Sequence, residues 1–74
     1  MKKIWIEVSF DDNPMANEIV YSTKEANELI KTIEENGFEG YDQQVKNEWL
    51  EMGFRDNPIV TARICDWNLS YHSN

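Results

Sequence analysis

Between Ser22 and Gly37 the apolar residues Ala26, Leu29, Ile30 and Ile33 recur at i, i+3, i+4 and i+7, which confines them to one stripe of an α-helix. A one-sided stripe has to be buried against a second layer. Ser22-Thr23-Lys24-Glu25 reads as a capping box, with the Ser22 hydroxyl accepting from the Glu25 amide and the Glu25 carboxylate reaching back to the Ser22 amide. Asn36-Gly37 supplies a left-handed stop. The second layer is written just upstream. Residues 3 to 10 alternate, with Ile4, Ile6, Val8 and Phe10 on one face and Lys3, Trp5, Glu7 and Ser9 on the other, the period of a half-buried strand. A chain of 74 residues has apolar surface for one such arrangement, so the sequence predicts a single domain over 1–74, with the polar residues 70–74 frayed.

The remaining elements follow from turn chemistry. Asp11-Asp12-Asn13-Pro14 should end the first strand, because Pro14 cannot donate to a ladder, and Glu18 to Tyr21 reads as a short second strand beyond a connection longer than a tight hairpin. Asp42 can cap a second helix, Gln43 to Met52, in which Val45, Trp49 and Met52 share a face and Gly53 marks the end. After the turn at Asp56-Asn57-Pro58, Ile59 to Leu69 is rich in β-branched and aromatic residues and reads as a long third strand. The expected fold class is α+β in the order β-β-α-α-β, with a small antiparallel or mixed three-stranded sheet and the amphipathic helix on one face.

On that arrangement the face toward the first helix carries Ile4, Ile6, Val8, Phe10, Val20, Val60, Ala62 and Ile64. The other face receives Trp5, Glu7, Ile19, Tyr21, Thr61, Arg63, Cys65 and Trp67, which is too aromatic to be left in water. The second helix is the expected cover, making three layers; the alternative is an interface, with a homodimer seam through Trp5, Tyr21 and Trp67. Phe10 to Pro14 and Phe54 to Pro58 match at four of five positions, which reads as repeated turn punctuation.

Charge excludes more than it identifies. Fourteen acids against seven bases leave a net charge of −7, a sign that repels nucleic-acid phosphates, so the expected partner is a protein with a basic surface and not nucleic acid itself. Residues 25–51 hold eight acids against Lys31 and Lys46, and so carry six of those seven charges. Lys24, Glu28, Lys31 and Glu35 alternate in sign along one helix row, an ordinary salt-laced face. Glu34, Glu39, Asp42, Glu48 and Glu51 lie outside that alternating row and are the candidate partner-binding acids.

No apolar stretch is long enough to span a bilayer, and Glu7 interrupts what a signal peptide would need, so a cytoplasmic location away from membranes is expected. The single Cys65 and the single, near-terminal His72 offer neither a metal site nor a positioned base, and the Asp11–Glu18 segment has Ala16 where a calcium loop requires glycine. The chain is accordingly read as non-enzymatic, with no metal and no cofactor.

Three segments carry a resemblance: Ile4-Trp5-Ile6-Glu7-Val8, Ser22-Thr23-Lys24-Glu25-Ala26-Asn27-Glu28-Leu29 and Ala62-Arg63-Ile64-Cys65-Asp66-Trp67. Their order is similar to one module of the antirestriction DNA-mimic family of phages and conjugative elements. The resemblance implies a protein that imitates the phosphate ladder and occupies the DNA site of a host nuclease or other defence enzyme. The expected function is therefore a small acidic inhibitor that engages a nucleic-acid-binding protein, with an accessory module that homodimerises through its aromatic sheet face as the alternative.

Overall fold

A computed structural model describes residues 3–65. The elements are β1 (Ile4–Phe10), β2 (Asn13–Val20), α1 (Thr23–Asn36), α2 (Gln43–Glu51) and β3 (Val60–Cys65), in the expected α+β order. The sheet is wholly antiparallel with strand order β2-β1-β3, so β1, the most regularly alternating segment, takes the centre. Of the long third strand, residues 66–69 lie outside the described residues.

β2 is longer than its sequence suggests, and the reason is positional. It starts at Asn13 and runs through Pro14, so the connection to β1 is a two-residue turn, Asp11-Asp12, with φ of 49° and 68°. Both signs are what a type I′ hairpin turn demands, and aspartate tolerates that region better than most side chains. Pro14 is accommodated because β2 is an edge strand, where a missing N–H breaks no ladder. The register also slips there: Val8 opposes Ala16 while Ser9 opposes Pro14, which leaves Met15 as the extra residue of a bulge.

α1 forms as its spacing predicts, burying Ala26 and Ile33. The Ser22 hydroxyl accepts from the Glu25 amide at 3.1 Å, but the Glu25 carboxylate reaches one residue further back than expected, to the Tyr21 amide at 3.1 Å. Gly37 ends the helix at φ 66°, ψ −161°, a conformation essentially restricted to glycine, while its N–H still bonds the Ile33 carbonyl.

Contrary to expectation, α2 does not cross to the outer face of the sheet. The short loop of residues 37–42 drops Phe38 into the core and returns α2 to the same side as α1. There Phe10 stands edge-on to three rings, Phe38 at 5.2 Å, Tyr41 at 5.7 Å and Trp49 at 5.7 Å between centroids. Edge-to-face pairs of this kind add to the burial of the rings themselves. The fold therefore has two layers, one core holding Ile6, Val8, Phe10, Ala26, Ile33, Phe38, Trp49, Val60 and Ala62. Met52, expected on the buried side of α2, is exposed beyond the helix end, and Ile64 is half-exposed at the end of the edge strand β3.

The two echoed turns meet in space. Asp11 and Arg55 occupy the same place in the two motifs and form a two-pronged ion pair, 2.6 Å and 2.7 Å, while Phe10 and Phe54 contact Trp49 from different directions. The Asp11 carboxylate also accepts from the Ile59 amide at 2.9 Å, and the Asp11 amide donates to the Ile59 carbonyl at 2.9 Å. The hairpin is thus tied to the α2–β3 connection. The Arg55 guanidinium, and after it the Ile59 amide, hold the Asp11 carboxyl below its ordinary value of 3.8, and Arg55 is raised in turn. A depressed carboxyl contributes stability above its unfolded-state pKa and loses it as pH falls through the folded value. Lowering the pH below about 4 should therefore loosen this corner first, and the Ile59 and Asp11 amides should gain hydrogen-exchange rate ahead of the β1–β2 ladder. Asp11→Asn should remove most of that acid sensitivity.

Candidate functional site

α2 begins on Asp42, whose Oδ2 accepts from the Val45 amide at 3.2 Å, as the sequence predicts. Its orientation is then fixed by Trp49, which is buried and donates its indole N–H to the Arg55 carbonyl at 2.7 Å. With Trp49 inward, the helical period turns Glu48, Leu50 and Glu51 outward. Among the described residues the ion pairs are Arg55–Asp11 and Arg63–Glu7, so neither Glu48 nor Glu51 has a cationic partner. The nearest cations in sequence are held elsewhere: Arg55, four residues after Glu51, is paired with Asp11, and Lys46, two before Glu48, donates from Nζ to the Glu39 carbonyl at 3.0 Å and lies 5.9 Å from the centre of the Phe38 ring.

Apolar side chains are interleaved with these acids. Leu50 is 44% exposed, Met52 49% and Phe54 52%, the last stacked at a tilt on Trp49 with centroids 4.9 Å apart. Scattered exposed apolar residues are normal, but three within five positions beside two unpaired carboxylates make a mixed surface suited to a partner with cations around an apolar centre.

The five candidate acids do not form one zone. Glu39, Asp42, Glu48 and Glu51 are exposed on α2 and the loop before it. Glu34 turns the other way, its Oε2 accepting from the Ala62 amide at 3.0 Å on the outer edge of β3. There it covers an edge N–H that would otherwise be open to strand pairing. Nor do Lys24, Glu28, Lys31 and Glu35 pair with one another within 4 Å, so the expected salt lacing of α1 is not formed.

The aromatic candidates are equally dispersed. Trp5 lies half-buried on the outer face, Tyr21 is exposed between β2 and α1, and Trp67 lies outside the described residues, as does His72. Among the described residues no helix covers that face. Its middle is the Arg63–Glu7 ion pair at 3.0 Å, flanked by Ser9 and Thr61, which is polar where a dimer seam would be apolar.

Two residues that the sequence reading left out stand at a cleft. Glu18 faces the helices from β2, opposite the buried Ile6, and accepts a hydrogen bond from the Tyr41 hydroxyl at 2.8 Å. The signal was available: Ala16, Glu18 and Val20 alternate, so whichever face holds Val20 holds Glu18. Burial, and next the Glu18 carboxylate, push the Tyr41 phenol well above its ordinary value of 10.0. A raised phenol contributes stability below the unfolded-state pKa and loses it as pH rises toward the folded value. In a spectrophotometric titration Tyr41 should resist ionisation until the chain unfolds, and Tyr41→Phe should abolish that late phase. Compared with family models, curated proteins and solved structures, the chain matches none.

Proposed function

We propose that this protein is a small non-enzymatic inhibitor that docks through α2 and the loop of residues 37–42 onto a basic surface of another protein. The observation that carries this reading is the pair Glu48 and Glu51: exposed, one helical turn apart, without a cation among the described residues, and bordered by exposed Leu50, Met52 and Phe54. Carboxylates so placed keep their full attraction for a partner's lysines and arginines, and the apolar side chains give the docked state area to bury.

In its most concrete form the partner surface is a nucleic-acid site, and the inhibitor belongs to a phage or mobile element acting against a host defence enzyme. Helix neighbours three apart have Cβ atoms about 5–6 Å apart, close enough to stand in for successive phosphates. The row is short, since Glu34 is engaged at β3 and Asp42 caps α2. The exposed Leu50, Met52 and Phe54 supplement it with contacts that DNA phosphates do not make.

A second reading, an accessory module that homodimerises through the outer sheet face, is favoured by the lack of a helical cover there among the described residues. Sedimentation at high salt separates the two, because an aromatic seam persists when charge is screened. The test of the main reading is competition. A partner captured from the native host at about 50 mM salt and then purified should be displaced by duplex DNA, since mimic and DNA would share one site. Simultaneous binding of both would contradict the nucleic-acid form, and equal capture by a Glu48→Lys/Glu51→Lys variant would contradict docking through α2.

A further inference from the structure

We infer that the cleft between the C-terminal end of α1, the loop of residues 37–42 and β2 receives a single cationic side chain, lysine or arginine, from the basic partner. This rests on the docking reading above and names what that surface would recognise. The cleft has a volume of about 250 Å³ and is lined in part by Glu18, Leu29, Ile33, Gly37, Tyr41 and Asp42. Pockets for drug-sized ligands measure about 300–1,000 Å³, so this smaller cleft is of a size to take one side chain.

Three features give it a cationic preference. Glu18 is half-buried, and its one hydrogen bond, from the Tyr41 hydroxyl, goes to Oε2, so Oε1 is available. Asp42 contributes a second carboxylate, of which Oδ2 is engaged by the Val45 amide. The last turn of α1 carries no basic residue, so its carbonyl end adds negative potential at the same place. Neither carboxylate has an ion-pair partner among the described residues.

The walls decide what kind of cation fits. A hard metal ion asks for six or more oxygen ligands, whereas Leu29 and Ile33 offer hydrocarbon. An aliphatic stem ending in an ammonium or guanidinium matches both parts, its methylenes lying on the leucine and isoleucine and its head on Glu18 and Asp42.

Titrating the isotope-labelled full chain with the methylamides of N-acetyl-lysine, N-acetyl-arginine and N-acetyl-norleucine tests this without the partner. Saturable amide shifts confined to Leu29, Ile33, Gly37, Gly40 and Tyr41 are expected for at least one cationic ligand, and their relative strengths identify lysine or arginine. Norleucine should bind about tenfold more weakly or not at all, in line with the loss of a charge-assisted hydrogen bond. Glu18→Gln should weaken the cation by a similar factor, as should Asp42→Asn, which retains an oxygen to cap α2. Each variant's unperturbed spectrum elsewhere certifies its fold. Equal response to norleucine, no localised shift, or full affinity in both variants overturns the inference. Failure here with charge-sensitive partner binding intact removes only the cleft. Failure of the Glu48 and Glu51 reversals removes the docking reading instead.

Discussion

Trp49→Ala should bring the chain to the margin of unfolding at 25 °C. Trp49 is only 1% exposed, meets Phe10 and Phe54 with its ring, and donates its indole N–H to the Arg55 carbonyl at 2.7 Å. Truncating a buried tryptophan to alanine costs about 3–5 kcal/mol, and a domain of this size starts near the lower end of the usual ~5–15 kcal/mol. The loss also propagates, because the segment that holds Arg55 against Asp11 would no longer be anchored. Trp49→Phe keeps ring contacts and loses the hydrogen bond, so it should cost about 1–2 kcal/mol and remain folded. Urea unfolding followed by circular dichroism distinguishes the two, and a cooperative, near-normal midpoint for Trp49→Ala would mean that α2 is not docked on Phe10 as described.

Reversing Glu48 and Glu51 together to lysine should have the opposite profile, no loss of stability and a large loss of binding. Both side chains are exposed, and surface substitutions of this kind shift stability within about ±0.5 kcal/mol. The last turn of α2 has no basic residue, so a lysine at position 51 meets a favourable helix end. Partner affinity should fall by more than about tenfold, because two attractive contacts become repulsive. Unchanged thermal unfolding beside that loss assigns the effect to the surface and not to the fold.

How far the sequence could be read depended on whether each signal was local. α1 was legible to the residue, since its capping Ser22, its stripe and Gly37 act within one or two turns of the chain. The start of β2 was not, because Pro14 ends a central strand but not an edge strand, and only the strand order reveals which it is. The side on which α2 packs was likewise hidden: it is decided by Phe10 meeting Trp49 across 39 positions of sequence, together with a loop that buries Phe38.

The candidate site divides along the same line. Asp42 as a cap and the concentration of acids around α2 are properties of neighbouring residues and were visible in the sequence, whereas the withdrawal of Arg55 from Glu51 to Asp11 was not. The diversion of Glu34 to the Ala62 amide, the bond between Glu18 and Tyr41, and the outward turn of Leu50 beside the acids are tertiary facts. The pairing of Asp11 with Arg55 shows how a repeated motif, read as punctuation, can be two halves of one contact.

The most direct measurement is the salt dependence of the affinity for the purified partner, taken on the unaltered chain and on the doubly reversed chain. Docking through exposed carboxylates predicts a steep loss of affinity between about 50 and 200 mM salt for the unaltered chain, and a shallow or inverted dependence once Glu48 and Glu51 are lysines. Identical slopes for the two chains would contradict the account.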